Sequence, residues 1–276
     1  MQQEISKAKQ DAIKYLSKYL DELEKGDDRD HKRISLLSYW MKDYTGYLSR
    51  EKDFQPHKLP RYKRGDIIKV NLGYNVGSEE GGLHYAVVVD MKNDLNSPVI
   101  TIIPLTSIKD IEKKINYKDV LLGDEIYQKL KLKGDVVADK IDTHINKLKV
   151  DIEILVQRNL KTKELLKTIE NIEDVKEREE IKENAGKLLH INQIDIERVE
   201  KEIAIYEKDK KDLMKIKKEI DKMKKGSIAL VSQITTISKM RIYNPRNKYD
   251  VLSGIKLSSE SLNKINDKIK KLYVFE

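Results

Sequence analysis

The sequence contains no cysteine at any of its 276 positions. This absence excludes disulfide bonds and cysteine-ligated zinc sites, and it is typical of a reducing compartment, so we expect a cytoplasmic location. No run of about 18 apolar residues occurs, so we expect no membrane-spanning helix. The first ten residues also lack the apolar segment that a secretory signal requires.

Aromatic residues are scarce, at 6%, whereas charged residues make up 37% of the chain. This combination is typical of long solvated helices attached to a smaller globular body. The net charge of +8 permits a polyanionic partner. Residues 135–225 carry 22 basic and 22 acidic side chains, whereas residues 226–276 carry 9 basic and 4 acidic ones. The middle of the chain is therefore the less suitable part for holding a nucleic acid.

The first segment, residues 1–60, predicts a helical hairpin. Apolar residues recur at helical spacing on both sides of Gly26, which interrupts the pattern. Asp28 or Asp30 is expected to cap the second helix. Trp40 and the neighbouring tyrosines form a stripe that suits a packed core or an RNA-stacking surface, and the helical spacing favours the core.

Residues 135–225 predict a long antiparallel coiled-coil hairpin. Apolar positions from Ile141 to Ile169 alternate in steps of four and three, which is the spacing of a coiled-coil seam. A Glu-rich break is expected at residues 173–186, after which the pattern resumes as far as Met223. Because the charge of this arm is balanced, we expect it to bind a partner or reinforce a dimer rather than hold RNA.

The segments on either side of this arm predict a single divided sheet. In residues 61–134, a Gly-rich loop at 73–82 separates two β-branched runs, and a turn at 93–98 precedes a third. Strand character returns at 227–237, and residues 226–276 end in a helix. The predicted fold class is therefore α+β, in which strands before and after the arm share one sheet.

Two blocks of this sheet resemble a known family. The first is RGDIIKVNLGYNVGSEEGG, which starts at Arg64 and is followed by AVVV and IIPLTS. The second is SIALVSQITTISKMRI, which starts at Ser227. In order and character they are similar to the MazF/PemK (Kid-like) toxin endoribonucleases. The resemblance covers roughly residues 61–122 and 226–276, so the N-terminal hairpin and the coiled-coil arm lie outside it.

The resemblance implies a small SH3-like antiparallel β-barrel of the MazF/PemK/CcdB type with a C-terminal helix, commonly found as a homodimer. It also implies the toxin of a type II toxin-antitoxin system, with a cognate antitoxin protein as partner. Such a toxin is a metal-independent, sequence-specific endoribonuclease that cleaves single-stranded RNA through attack by the ribose 2′-OH. No cofactor and no metal are expected.

The family's motifs also imply the site residues. His84, followed by Tyr85, stands where the family often has a catalytic Arg followed by Pro, and His can act as an acid or a base near neutral pH. Thr106 matches the family's catalytic Thr or Ser at a strand end, so His84 and Thr106 are the predicted catalytic residues. The predicted RNA-binding residues are Ser78, Glu79, Tyr85, Ser107, Ser232, Gln233, Thr235, Thr236, Lys239 and Arg241.

Two departures from the family's pattern leave a second interpretation open. Ser232 replaces a commonly acidic residue, and Thr235 replaces a common Arg. The alternative is a catalytically impaired module that binds nucleic acid or protein and whose coiled-coil arm engages the partner. Interference with a protein target such as a topoisomerase is a third interpretation, because gyrase-poisoning toxins have a similar barrel, but no residue specifically favours it.

Overall fold

The computed structural model describes residues 1–108 and 115–274. Its helices and strands are α1 (Gln2–Glu24), α2 (Asp28–Arg50), β1 (Ile67–Asn71), β2 (Leu83–Val88), β3 (Val99–Ser107), β4 (Val120–Gly123), α3 (Glu125–Thr168), α4 (Val175–Lys222), β5 (Ser227–Ala229), β6 (Thr235–Ser238), β7 (Ile242–Asn244) and α5 (Ser259–Tyr273). They form two compact units, one of residues 1–126 with 224–276 and the other of residues 127–223. Within the described residues, no helix combines the length and the apolar character needed to cross a membrane.

The seven strands form one antiparallel sheet in the first unit. Their order is β4-β5-β3-β2-β1-β7, and β6 also pairs with β3. Strands from before and after the long helices therefore share a sheet, which gives a mixed fold of helices and antiparallel strands. In the described part of the chain the two end strands, β4 and β7, do not pair with each other. The sheet is thus not closed, and the predicted SH3-like barrel is not confirmed.

Both faces of this sheet are buried. Alternate residues of a strand point to opposite faces. The even-numbered residues pack into one core together with Leu59 and Tyr62, and they are Ile68, Val70, Ala86, Val88, Ile100 and Ile102. The odd-numbered Ile67, Val87 and Ile103 are fully buried on the other face. Burial on both faces explains why β1 and β3 are rich in β-branched residues, and why the buried end of β2 carries Val87 and Val88.

The second block of the sheet is not the continuous strand predicted at residues 227–237. β5 ends at Ala229, a 3-10 turn occupies Val231–Gln233, and β6 begins at Thr235. Both strands pair with β3, through Ala229 opposite Leu105 and Thr236 opposite Thr101. The turn between them takes two polar side chains of the block, Ser232 and Gln233, out of the strand pairing.

The N-terminal cap of helix α2 is Asp27, one residue before Asp28, the first of the two predicted capping residues. The carboxylate of Asp27 accepts hydrogen bonds from the backbone N–H groups of Arg29, at 2.8 Å, and Asp30, at 3.2 Å. Asp27 has an extended backbone, as N-cap residues do, whereas Asp28 is already helical. The predicted capping residues Asp28 and Asp30 therefore lie inside the first turn of α2.

Helix α2 packs its Trp40 against the loop that follows β1. A Cβ atom added to Gly73 would lie 2.7 Å from the indole ring, so ring and backbone are in close contact. Asp43 accepts a hydrogen bond from Nδ2 of Asn71 at 2.9 Å. Other members of the aromatic stripe are solvated, since Tyr39 is 69% exposed and Tyr44 is 45% exposed. Only part of the stripe is therefore packed.

The second unit consists mainly of α3 and α4, which contact each other in antiparallel register. Lys140 pairs with Asp209 at 2.7 Å, and Arg158 pairs with Asp195 at 2.6 Å. The predicted break at 173–186 is much shorter, because Asp174 caps α4. Its carboxylate accepts from the N–H groups of Lys176 and Glu177, so the helix starts at Val175.

Only half of the predicted seam on α3 is buried. Ile141, Leu148, Leu155 and Thr162, spaced by seven, are buried, but the interleaved Ile152 and Leu166 are 45% and 44% exposed. Polar contacts take part in the pairing instead, among them the bond from Nδ2 of Asn192 to Oδ1 of Asn159 at 2.6 Å. The helices run antiparallel, but a supercoiled coiled coil stays a prediction.

Candidate functional site

The Gly-rich loop between β1 and β2 is closed at its base by two backbone hydrogen bonds. The N–H of Leu72 donates to Gly82 at 2.7 Å, and the N–H of Gly82 donates to Gly73 at 2.6 Å. Gly73 and Gly82 have φ angles of 86° and 81°, which residues with a Cβ rarely adopt. These glycines therefore fix where the loop leaves the sheet and where it returns.

We expect Gly73→Ala to destabilise the protein more than Gly77→Ala. Both glycines have positive φ, 86° and 64°, so each variant carries backbone strain of about 1–2 kcal/mol. Only at Gly73 would the new Cβ also meet Trp40, which adds an overpacking cost of about 1–3 kcal/mol, because a Cβ on Gly77 has no heavy atom within 4 Å. Urea unfolding of both variants measures the difference. Equal losses of unfolding free energy would contradict the packing of α2 on the loop.

Gln233 joins this loop to the turn between β5 and β6. Its Oε1 accepts a hydrogen bond from the N–H of Glu80 at 2.6 Å, and its Nε2 donates to the carbonyl of Ser78 at 3.3 Å. An amide side chain can satisfy a donor and an acceptor of one loop at the same time. Gln233 thereby holds the acidic end of the loop against a segment about 150 residues away in the sequence.

His84, near the start of β2, has two hydrogen-bond acceptors beside its Nδ1 atom. Oε1 of Glu80 lies 3.2 Å away, and the carbonyl oxygen of Leu105 also lies 3.2 Å away. Because both partners accept, Nδ1 carries the hydrogen, and Nε2 is left as the atom that takes up or releases a proton. The side chains of His84 and Glu80 are 27% and 23% exposed, so a substrate can reach them.

Thr106 lies beside His84 on the neighbouring strand. In the register of β2 and β3, Tyr85 is opposite Leu105, so His84 and Thr106 are the next residues on their strands. By the alternation of side chains they share one face of the sheet, the face of Ala86. Both are half-buried. The fold thus brings together the two residues predicted to be catalytic.

A cleft of about 600 Å³ opens beside Glu80. Six predicted RNA-binding residues line it, and they are Ser78, Glu79, Ser232, Gln233, Thr235 and Arg241. Pro104 and Ile237 contribute its apolar floor. Since Pro104 precedes Thr106 by two positions on β3, the cleft lies on the face of the sheet that carries His84 and Thr106. We refer to it below as the central cleft.

Arg241 is the cation of the central cleft. Its Nε donates to the carbonyl of Asn71 at 2.8 Å, and its guanidinium carbon lies 5.3 Å from the centroid of the Trp40 ring. Burial lowers the pKa of Arg241, although an arginine remains charged at neutral pH. A fixed, partly desolvated guanidinium interacts strongly with an anion, because little water screens it.

Lys239 and Thr236 were predicted to contact RNA, but the fold directs them away from the central cleft. Lys239 is only 1% exposed, its Nζ donates to the carbonyl of Asp94 at 2.8 Å, and burial lowers the pKa of its amine. The Oγ1 of Thr236 lies 3.1 Å from that of Thr101. Thr236 therefore faces away from Thr235 and Ile237, which line the cleft. Neither residue is therefore part of the proposed RNA-binding surface.

Two other predicted RNA-binding residues also lie outside the lining of the central cleft. Tyr85 alternates with His84 along β2, so its ring points to the opposite face, where Nζ of Lys69 lies 5.0 Å from the ring centroid. Ser107 pairs with Ser227 of β5 at the end of β3. The structure thus groups six of the ten predicted RNA-binding residues and separates four from them.

Glu80 was not among the site residues predicted from the sequence, although its neighbour Glu79 was. The structure instead turns Glu80 toward His84 and leaves Glu79 exposed. The spacing of four residues between Glu80 and His84 indicates no contact in a loop, because only a helix makes that spacing adjacent. Gln233 anchors the backbone of Glu80 through the N–H of that residue. Among residues 1–108 and 115–274, no group of three or more His, Cys, Asp or Glu side chains is arranged to hold a metal ion.

Comparison with known proteins supports the resemblance drawn from the first block. Residues 63–160 match the model of a family described as PemK-like, MazF-like toxin of type II toxin-antitoxin system. The match includes the Gly-rich loop, His84 and Thr106, and it extends into α3. Residues 226–276 lie outside the match, although β5, β6 and β7 pair with strands inside it. A search of the curated proteins finds no match to the chain.

Proposed function

We propose that this chain, whose residues 63–160 carry the match to PemK-like, MazF-like toxins, is a toxin that cleaves single-stranded RNA. The family indicates a type II toxin-antitoxin toxin and implies a cognate antitoxin as partner. The observation that carries the endonuclease proposal is the His84–Glu80 pair beside a polar cleft that contains Arg241. An acid–base group beside a cleft that holds a fixed cation supplies the parts that phosphodiester cleavage needs.

In the proposed reaction the ribose 2′-oxygen attacks the adjacent phosphorus, and the bond from phosphorus to the 5′-oxygen of the next nucleotide breaks. The products are a 2′,3′-cyclic phosphate and a 5′-hydroxyl. One proton leaves the 2′-OH and one reaches the departing 5′-oxygen, so the reaction needs a base and an acid. Water is not consumed in this step, and the atoms and charges balance without an added reactant.

His84 is the proposed proton-transfer group. The Glu80 carboxylate and the Leu105 carbonyl hold its Nδ1–H, so Nε2 faces away from them and is the proposed proton-transfer atom. His84 thereby serves in place of the arginine that the family often has at this position, with proton transfer as its role rather than permanent charge.

Arg241 and Thr106 are proposed to stabilise the charge that develops on the phosphate. Arg241 is held in position by Asn71 and Trp40, so its guanidinium does not need to reorganise when the charge forms. The Thr106 hydroxyl shares the face of His84 and can donate a hydrogen bond to a phosphate oxygen. Ser78, Glu79, Ser232, Gln233 and Thr235, which line the rest of the central cleft, are proposed to contact the bases.

The remaining sequence predictions belong to the same proposal. A homodimer and a cytoplasmic location accompany the toxin function, and the helical pair α3–α4 is proposed to bind a partner or to extend the dimer. In this proposal the cleavage chemistry belongs to the unit of residues 1–126 and 224–276, because that unit contains His84, Thr106 and the central cleft.

The proposal is tested by incubating the protein with a mixed-sequence single-stranded RNA in the presence of EDTA. We expect cut products with a 2′,3′-cyclic phosphate and a 5′-hydroxyl, because the proposed groups are all side chains. The same RNA with 2′-O-methyl groups throughout should stay intact, since it lacks the nucleophile. Binding of both RNAs without cleavage of either would contradict the proposal and favour a binding module.

A further inference from the structure

A second cleft adjoins the central cleft on the far side of Arg241. It has a volume of about 660 Å³ and lies between the C-terminal end of α2 and β7. Arg241 lines both clefts, so the two clefts are adjacent. We call this second cleft the basic groove, because Arg50, Lys58 and Arg246 line it together with Arg241, against the single carboxylate of Asp53.

The cations of the basic groove remain available to a ligand. Nε of Arg50 donates to the carbonyl of Gly46 at 2.8 Å, and Nη1 of Arg246 donates to the carbonyl of Ile242 at 3.1 Å. Each bond orients a guanidinium and leaves other N–H donors directed elsewhere. Across residues 1–108 and 115–274, the ion pairs that form involve neither these two arginines nor Lys58. The groove thus presents four cations against the carboxylate of Asp53, and the Asp250 carboxylate accepts from the backbone N–H of Arg246 at 2.5 Å.

Aromatic side chains stand among these cations. Tyr243 is 65% exposed, and Phe54 and Tyr47 are half-buried in the wall of the groove. An exposed aromatic ring next to fixed cations is the arrangement by which proteins hold single-stranded nucleic acid, since bases stack on the ring while phosphates meet the cations. An acidic protein segment would form ion pairs with the cations, but it has no base to stack on the exposed Tyr243 ring.

We propose that the basic groove binds the nucleotides of a single-stranded RNA that flank the cleavage site. This inference rests on the proposed function, and it deepens it by assigning a substrate-binding role to α2 and to the extended segment that follows it. Arg50, Lys58 and Arg246 contact phosphates, and Tyr243 stacks on a base. The groove contributes affinity to the substrate, and the chemistry stays with the central cleft.

The test uses a fluorescein-labelled 2′-O-methyl oligouridylate of 20 nucleotides, which binds but cannot be cut. We expect the double variant Arg50→Gln/Lys58→Gln to bind it about tenfold more weakly or worse. The slope of log Kd against log salt should also fall by about 1.4, since each lost phosphate contact of a single strand removes about 0.7. Fluorescence anisotropy at several salt concentrations gives both quantities.

Two further variants separate the proposed contacts from general effects of charge. Lys7→Gln/Lys14→Gln removes the same charge from exposed positions of α1 and should leave the salt slope unchanged. Tyr243→Ala should weaken binding about five-fold or more through lost stacking, with the salt slope of the wild type. Thermal unfolding of each variant confirms that the compared proteins are folded.

The inference is overturned if the Arg50→Gln/Lys58→Gln and Lys7→Gln/Lys14→Gln variants bind the oligonucleotide with equal affinity and equal slope. It is also overturned if only the binding of a polyglutamate peptide, used as a mimic of an acidic protein, depends on Arg50 and Lys58. The result of the cleavage assay in EDTA is independent of the result of the groove-binding assay. A wild type that binds through the groove but cuts no RNA would refute the nuclease, whereas cleavage with unchanged binding in the groove variant would refute the groove.

Discussion

His84→Ala is expected to lower the rate of RNA cleavage by about 10²–10⁴-fold, which is the usual contribution of a positioned acid or base. The variant removes the imidazole that is proposed to transfer the proton. Its fold should persist, because the imidazole is partly exposed and both of its hydrogen-bond contacts, to Glu80 and Leu105, involve one ring atom. Initial rates on a labelled RNA in EDTA, measured beside a thermal unfolding curve, check both expectations.

His31→Ala is the matched control for this experiment. His31 lies at the start of α2, is exposed and contacts the backbone carbonyl of Glu24 through Nε2 at 3.1 Å. Its replacement removes an imidazole from the same unit without touching the central cleft, so cleavage should remain at the wild-type rate. If His84→Ala also cleaves at the wild-type rate, the assignment of proton transfer to His84 is wrong, whatever the protein does to RNA.

Arg241→Gln is expected to lower kcat by about 10²–10³-fold, the cost seen when one preorganised group that stabilises transition-state charge is removed. The guanidinium is fixed by Asn71 and Trp40 before substrate arrives, so its charge acts on the phosphate without reorganisation. Binding of the uncleavable 2′-O-methyl oligouridylate should weaken much less than kcat falls, because most phosphate contacts remain. Single-turnover rates and anisotropy on the same preparations separate the two quantities.

Arg241 also has structural contacts, so its variant needs a stability control. Gln at this position still offers a donor for the Asn71 carbonyl but loses the contact with Trp40, and we expect a loss of about 1–2 kcal/mol of unfolding free energy. Arg241→Lys restores the charge and should recover part of kcat. If Arg241→Gln and Arg241→Lys are equally slow, or if both match the wild type, charge at this position does not serve the chemistry.

The local structure around the site follows from neighbouring residues in the sequence. The strands β1, β2 and β3 are visible as β-branched runs, and the Gly-rich loop between β1 and β2 is visible as their interruption. His84 and Thr106 come together because each stands at a strand end in an antiparallel register, and the family resemblance identified both. For these two residues, the alternation of side chains between the two faces of a strand is enough to predict that they share a face.

The second block was harder to predict because its strand is interrupted. A turn at Val231–Gln233 separates β5 from β6 and resets which side chains face the cleft. Side chains alternate with a period of two, so the placement of such a turn decides the face that each residue occupies. Thr235 therefore enters the central cleft, whereas Thr236 pairs with Thr101 and Lys239 is buried. The continuous strand that we predicted at residues 227–237 does not reveal this change in which side chains face the cleft.

The sequence by itself determined the helical and β segments and the Gly-rich loop, because those depend on local periodicity and short-range backbone preferences, whereas the two catalytic candidates came from the family resemblance. Only the tertiary structure decided how the site is completed. It anchors the backbone of Glu80 on Gln233, brings the Glu80 carboxylate beside His84, and places Arg241 between Asn71 and Trp40. The contacts of Gln233 and Arg241 join residues separated by more than 150 positions, and their energies depend on distance in space, which no local pattern of the sequence records.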